Sequence, residues 1–105
     1  MRNGRYFAWF RTPQGEGAGI VVLSDGKLSG GDTVSDYTGA YVIEGDKFTA
    51  SVAARRRTQG RSVFGIDNVD LIVNGKSTPT MASCAGTAKQ APGVAFEATL
   101  IPMTD

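Results

Sequence analysis

The chain alternates short apolar runs with glycine-centred turn signals, and this spacing predicts antiparallel β-strands. Asp25-Gly26 separates the apolar residues 20–23 from Lys27-Leu28, and glycine accepts the positive φ that a two-residue hairpin turn requires. Along residues 48–54 apolar and polar positions alternate, which is the period of a strand with one buried face. Asn74-Gly75 is a second strong turn signal, and it predicts that the preceding strand ends there.

The turn signals divide the chain into about eight short strands, and no segment shows the period of a helix. This pattern is typical of a β-sandwich or an up-and-down β-barrel. A barrel is favoured, because short connections allow sequential strands to close on themselves and pair both edges, whereas a Greek-key sandwich needs long connections. The sequence thus predicts an all-β fold, a single up-and-down antiparallel barrel over residues 1–105. The predicted strands are residues 6–10, 17–23, 27–29, 37–43, 48–54, 69–73, 80–87 and 94–101.

The first two strands are apolar on both faces, although only one face of each can line a barrel interior. Two aromatic side chains left in water would forgo about 1.5–3 kcal/mol each of burial. We expect the outer face to form the interface of a two-fold homodimer, with a loop folded back over it as the alternative. The residues assigned to this interface are Phe7, Trp9, Val21 and Leu23.

Small side chains occupy many strand positions at which a tightly packed core would have Leu or Ile. An eight-stranded barrel is just wide enough to be filled by side chains or to hold one small ligand. The sequence therefore leaves two alternatives open, an apolar pocket in the lumen and a filled interior. The small residues are Ala50, Ala54, Ala82, Ser83, Ala85, Ala95 and Ala98. The side chains that would fill the lumen are Phe48, Phe64, Met81, Phe96 and Leu100.

Composition gives little support for catalysis or for metal binding. The chain has no histidine and a single cysteine, Cys84, so the commonest general base and metal ligand are missing and an internal disulfide cannot form. Cys84 lies in a predicted strand, where a buried, unreactive thiol is expected. We therefore expect a protein that is not an enzyme and that uses no cofactor and no metal.

The distribution of charge along the chain does not indicate a binding partner. Eleven basic residues oppose ten acidic ones, for a net charge of +1, so no overall field favours nucleic acid or an anionic membrane. Residues 55–57 with Arg61 form the one basic cluster, and a solvated loop is favoured over a nucleic-acid site because side chains alternate between faces at a strand end. The chain start does not read as a signal peptide, and no apolar run reaches the ~20 residues of a membrane span. The expected location is the cytoplasm.

Glycine motifs recur in a fixed order in the first half of the chain: Gly4-x-Tyr6, Gly15-Glu16-Gly17, Asp25-Gly26, Gly30-Gly31-Asp32 and Tyr37-x-Gly39. This order resembles the GrlR family, the negative regulators of type III secretion. The resemblance implies a cytoplasmic bacterial protein with a lipocalin-like β-barrel. It also implies a dimer that binds and sequesters a transcriptional activator without contacting DNA.

The chain departs from this family at one hairpin tip. The family has a continuous acidic run there that engages the activator, whereas this chain has Ile43-Glu44-Gly45-Asp46. Glu44 and Asp46 are accordingly the residues expected to contact a protein partner, with a plain exposed turn as the alternative. The first expectation is a non-enzymatic regulatory barrel that binds an activator. The alternative is a small lipocalin-like carrier of an apolar ligand or lipid in the barrel lumen.

Overall fold

Eight antiparallel strands follow one another in a computed structural model that describes residues 1–59 and 63–103. Each strand pairs with the next, and β1 also pairs with β8 from Tyr6↔Pro102 to Arg11↔Glu97, so the sheet closes into a barrel. The predicted up-and-down β-barrel is confirmed. The strands are β1 (Gly4–Thr12), β2 (Gly15–Ser24), β3 (Lys27–Gly31), β4 (Ser35–Glu44), β5 (Lys47–Arg56), β6 (Asn68–Ser77), β7 (Ala82–Ala88) and β8 (Ala91–Pro102).

Some of the tight turns lie where the sequence predicts them, whereas the breaks predicted at Asn74-Gly75 and at residues 91–93 lie inside strands. Asp25 and Gly26 have φ angles of 51° and 86°, as expected for a two-residue hairpin turn. The prediction that Asn74-Gly75 ends a strand is wrong, because β6 runs through both residues and pairs Gly75 with Phe48 on one side and with Cys84 on the other. Gly75 makes no turn there, and its lack of a side chain lets the neighbouring strands approach closely.

Alternation along each strand separates an interior face from an outer face. In β1 the side chains of Tyr6 and Ala8 are buried, whereas Phe7 and Trp9 are exposed. In β5 the even-numbered positions point inward, as the period of two predicts. The core therefore lies inside the barrel, where side chains from all eight strands meet.

The assignment of Val21 and Leu23 to an outer interface is wrong. Their side chains are 5% and 0% exposed and belong to the core of the barrel. Ile20 and the half-buried Val22 lie on the outer face of β2 instead. Both faces of this strand are apolar, so the alternation alone did not distinguish them. Pairing of β2 with β1 matches Tyr6 with Val21 and Phe7 with Ile20, which settles the orientation.

Candidate ligand-binding site

The barrel encloses a cavity of about 300 Å³, a volume at the lower end of the range for small-molecule sites. Its walls are mostly aliphatic and aromatic side chains from the strands. Exposed residues such as Glu16, Thr33 and Asp67 also border it, so the cavity reaches the surface at one end of the barrel. Glu16 lies at the start of β2, and Thr33 and Asp67 lie in the connections after β3 and β5, which places the opening at the end of the barrel where β1, β3 and β5 finish.

Small residues stand between large ones along one row of paired positions in the barrel wall. The row runs from Phe10 through Ala98, Cys84 and Gly75 to Phe48 across five neighbouring strands. The two phenylalanines flank three positions that bring little or no side-chain volume. Such a wall leaves space that a uniformly large set of side chains would fill.

Phe64 from the β5–β6 connection fills part of the lumen near the opening. Its ring stacks on Phe96 with ring centroids 5.5 Å apart, and Phe96 stacks on Phe10 at 6.1 Å. The hydroxyl of Thr12 donates a hydrogen bond to the carbonyl oxygen of Val63, which fastens this connection to the end of β1. The lumen is therefore partly filled by side chains, and the cavity is what remains.

The prediction of lumen-filling residues was right for four side chains and wrong for the fifth. Phe48, Phe64, Phe96 and Leu100 are buried, whereas Met81 is 45% exposed beside the β6–β7 turn. Among the small residues, Ala50, Ala54, Ala82 and Ala98 are buried or half-buried inside the barrel, but Ser83, Ala85 and Ala95 are exposed on the outside.

The Asp32 side chain at the opening of the cavity accepts three hydrogen bonds. Its Oδ1 accepts hydrogen bonds from the backbone N–H groups of Val34 and Ser35, both at 2.7 Å. Its Oδ2 accepts a hydrogen bond from the hydroxyl of Tyr37. Both Asp32 and Tyr37 line the cavity. The role of Asp32 was not predicted from the sequence, although an aspartate that begins a turn is a known signal for this capping geometry.

The proton of the Tyr37 hydroxyl is held firmly at this site. Burial raises the pKa of Tyr37 well above its ordinary value, and the hydrogen bond to Asp32 and the negative charge of that carboxylate raise it further. The phenol is therefore protonated at every pH at which proteins are ordinarily studied, and it donates that proton to Asp32.

A gap in strand pairing lies beside this pair of residues. β2 begins at Gly15, but β3 pairs with it only from Ile20↔Gly31 to Ser24↔Lys27. Residues on both sides of the gap border the cavity, including Gly17 on β2 and Thr33 on the β3–β4 turn. The cavity thus extends to a break in the barrel wall, where backbone atoms and Asp32 bound the cavity.

Cys84 lies in the cavity wall as an unreactive thiol, and its predicted burial is confirmed. Burial raises the pKa of this thiol to about 11, so very little of the nucleophilic thiolate exists near neutral pH. The sulfur lies 3.6 Å from the carbonyl oxygen of Ala98, to which it donates a weak hydrogen bond. The thiol therefore contributes a small apolar surface to the cavity.

Phe7 and Trp9 lie on the outside of the barrel, where the sequence placed them. Phe7 pairs with Ile20 on one side and with Ile101 on the other. Phe7, Trp9, Ile20 and Ile101, all exposed, form what we term the outer apolar patch. A shallow depression of about 600 Å³ lies beside Trp9 on the same outer wall.

Glu44 and Asp46 are exposed at the β4–β5 hairpin tip. Glu44 pairs in register with Lys47, and Lys47 pairs with Lys76 on β6. The two acidic residues therefore stand beside two basic ones, so that the local charge of this tip is nearly balanced.

The arginines of the basic cluster that the structure describes are engaged with carboxylates. Arg55 pairs with Asp70 at 2.7 Å, Arg56 with Asp67 at 2.9 Å, and Arg57 with Asp36. Arg61 lies outside the described residues. Arginines held by acidic partners are poorly placed to collect phosphates, which supports the expectation of a solvated surface over a nucleic-acid site.

Comparison with family models and with curated protein sequences finds no match to this chain. Within residues 1–59 and 63–103, no three His, Cys, Asp or Glu side chains come together in a group that could hold a metal ion. The same residues contain no helix with the length and apolar character needed to span a membrane. The fold and the cavity are therefore the observations on which a function can be argued.

Proposed function

We propose that this protein is a non-enzymatic binding barrel that holds a small apolar molecule in its lumen. The observation that supports this proposal is the cavity of about 300 Å³, whose walls are mainly apolar and whose opening lies beside Asp32. Interiors of small domains are ordinarily close-packed, so a space of this size in a closed barrel is unusual unless something occupies it. Burial of an apolar molecule there contributes about 25 cal/mol for each Å² removed from water.

The uncharged fluorophore N-phenyl-1-naphthylamine tests the proposal, because its emission rises in apolar surroundings. We expect saturable enhancement with wild-type protein and at least tenfold weaker binding to Ala50→Leu. Ala50 is buried and lines the cavity, so a leucine there takes the space of the probe. The same substitution in a fully packed core costs about 1–3 kcal/mol, and here we expect a smaller change in the free energy of unfolding.

Ala53→Leu is the matched control for this experiment. Ala53 lies on the same strand but on the outer face, opposite Thr38 and Asp70. Probe binding to Ala53→Leu is expected to equal that of the wild type. Absence of saturable binding to the wild-type barrel, or equal binding to Ala50→Leu, would contradict a lumenal site.

A second candidate function is regulation through protein binding by a homodimer, as the resemblance to the GrlR family implies. The outer apolar patch supports it, since contiguous exposed apolar surface commonly marks an interface. Trp9 projects beside a depression on the same wall, and a two-fold axis would let each copy place its tryptophan in the depression of the other. Glu44 and Asp46 are the proposed contacts for a transcriptional activator in this scheme, and a cytoplasmic location belongs to the same proposal.

Phe7→Asp is expected to convert such a dimer to a monomer. Phe7 is 42% exposed at the centre of the outer apolar patch, so a carboxylate there would be desolvated without a partner in the interface. Sedimentation velocity over a micromolar concentration series measures the change. Val42→Asp, which alters an exposed apolar residue of β4 on another part of the wall, is the control and should leave the dimer intact. A wild-type protein that sediments only as a monomer would exclude the dimer.

A further inference from the structure

Asp32 and Tyr37 present mainly hydrogen-bond acceptors at the opening of the cavity. The Tyr37 hydroxyl has one proton, and it is committed to Asp32, so its oxygen has only acceptor capacity left for a ligand. Oδ2 of Asp32 accepts that single proton and can accept another hydrogen bond. Oδ1 already accepts two backbone hydrogen bonds at 2.7 Å. A molecule that reaches this pair can therefore donate hydrogen bonds to two oxygen atoms, the Tyr37 hydroxyl oxygen and Oδ2 of Asp32.

Among the residues that the structure describes, the charged side chains bordering the cavity have the same sign. Glu16, Asp32 and Asp67 are the charged side chains among the described residues that line it. Asp67 forms an ion pair with Arg56 at 2.9 Å. Arg57 contacts the backbone oxygen of Asp32 at 2.6 Å and pairs with Asp36, but Arg57 does not border the cavity. A negative group in the opening would consequently face like charge at short range, which disfavours it.

We propose that the cavity selects small apolar molecules whose polar end is a protonated amine, bound at Asp32 and Tyr37, over apolar molecules that end in a carboxylate. This inference rests on the proposed lumenal binding and adds the chemistry of the ligand. The ammonium group donates to Oδ2 of Asp32 and to the Tyr37 oxygen, a charge-assisted arrangement. The apolar part lies among Phe10, Phe48 and Phe96 in the lumen.

Three probes with the same alkyl chain and different ends test the selectivity. Decylamine, decanol and decanoate are each used below the concentration at which they form micelles, at neutral pH, to displace N-phenyl-1-naphthylamine from the wild-type protein. We expect decylamine to bind at least tenfold more tightly than decanoate, with decanol between them. Decanoate that binds as tightly as decylamine would overturn the inference without any need for a variant.

Asp32→Asn identifies the group responsible. The amide keeps the size of the side chain and an oxygen that can accept from the N–H groups of Val34 and Ser35, but it removes the charge. Decylamine is expected to lose at least tenfold in affinity, whereas decanol, which carries no charge, should lose much less because the cavity is intact. Asp36→Asn is the matched control, since Asp36 carries the same charge on the outer face of β4 next to Arg57 and does not border the cavity. Its selectivity should equal that of the wild type.

Tyr37→Phe provides a second variant in case Asp32→Asn disturbs the β3–β4 turn. It removes the phenol oxygen and leaves the carboxylate, so the preference for decylamine should decrease and not vanish. A preference for decylamine that persists in Asp32→Asn would contradict the role of this pair. Failure of lumenal binding and failure of the selectivity give different results. If neither decanol nor the fluorophore binds, lumenal binding itself is wrong, whereas equal affinity for all three chains contradicts only the selectivity.

Discussion

Replacement of Gly75 with alanine is expected to destabilise the barrel by about 3 kcal/mol or more, a large part of the roughly 5–15 kcal/mol by which small domains are stable. An ideal Cβ at this position would overlap the carbonyl oxygen of Ser83 and lie 2.5 Å from Cα of Cys84. Both atoms belong to the backbone of the neighbouring strand β7, which cannot move aside as a flexible side chain can. Relief therefore requires separation of β6 from β7, and that separation breaks ladder hydrogen bonds on both sides of the position.

Gly93→Ala is the matched control for this prediction. A Cβ at Gly93 would meet nothing within 4 Å, so its cost is expected to stay below about 1 kcal/mol. Urea denaturation followed by circular dichroism gives both free energies of unfolding by linear extrapolation. Equal stability of the two variants would mean that β6 and β7 do not approach each other as closely as described.

Leu23→Ala is expected to lower the free energy of unfolding by about 2–5 kcal/mol, the range for a leucine removed from a packed core. The Leu23 side chain is fully buried and contributes to the core inside the barrel. The result decides between the interior position described above and the outer position that the sequence suggested. A residue at a dimer interface would instead show a dependence of stability on protein concentration.

Ile20→Ala serves as the comparison on the same strand. Ile20 is 39% exposed on the outer face, so its loss is expected to cost less than about 1 kcal/mol at a protein concentration where the chain is monomeric. Denaturant titration under identical conditions measures both variants. A larger effect at Ile20 than at Leu23 would show that β2 is turned the other way.

The strand pattern was predictable because its determinants are local. Asp25-Gly26 is confirmed as a tight turn by its own φ angles, and the alternation of residues 48–54 matches the inward and outward faces of β5. The prediction at Asn74-Gly75 was wrong because an Asn-Gly dipeptide can form a turn or can lie in a strand where the glycine lets a neighbouring strand come close. The two uses differ only in the approach of β7, which lies in another part of the chain.

The candidate site was predictable only in outline. The abundance of alanine made an incompletely filled lumen one of two alternatives, and the structure leaves a cavity beside Ala98 and Cys84. The pairing of Asp32 with Tyr37 was not foreseen, although the two residues are only five positions apart. The geometry of this pair depends on the β3–β4 turn, whose backbone N–H groups donate to the Asp32 carboxylate. It also depends on the position of that turn beside the gap in the barrel wall.

The amino-acid sequence by itself determined the all-β character, the succession of hairpins and the lack of histidine chemistry, since turn preference, strand period and composition act over a few residues. Only the tertiary structure decided which face of β2 is buried, because Val21 and Ile20 are equally apolar and the choice depends on pairing with β1. It likewise decided how much of the lumen stays empty. Volume in a barrel is the sum of side chains from all of its strands, and no single segment contains that information.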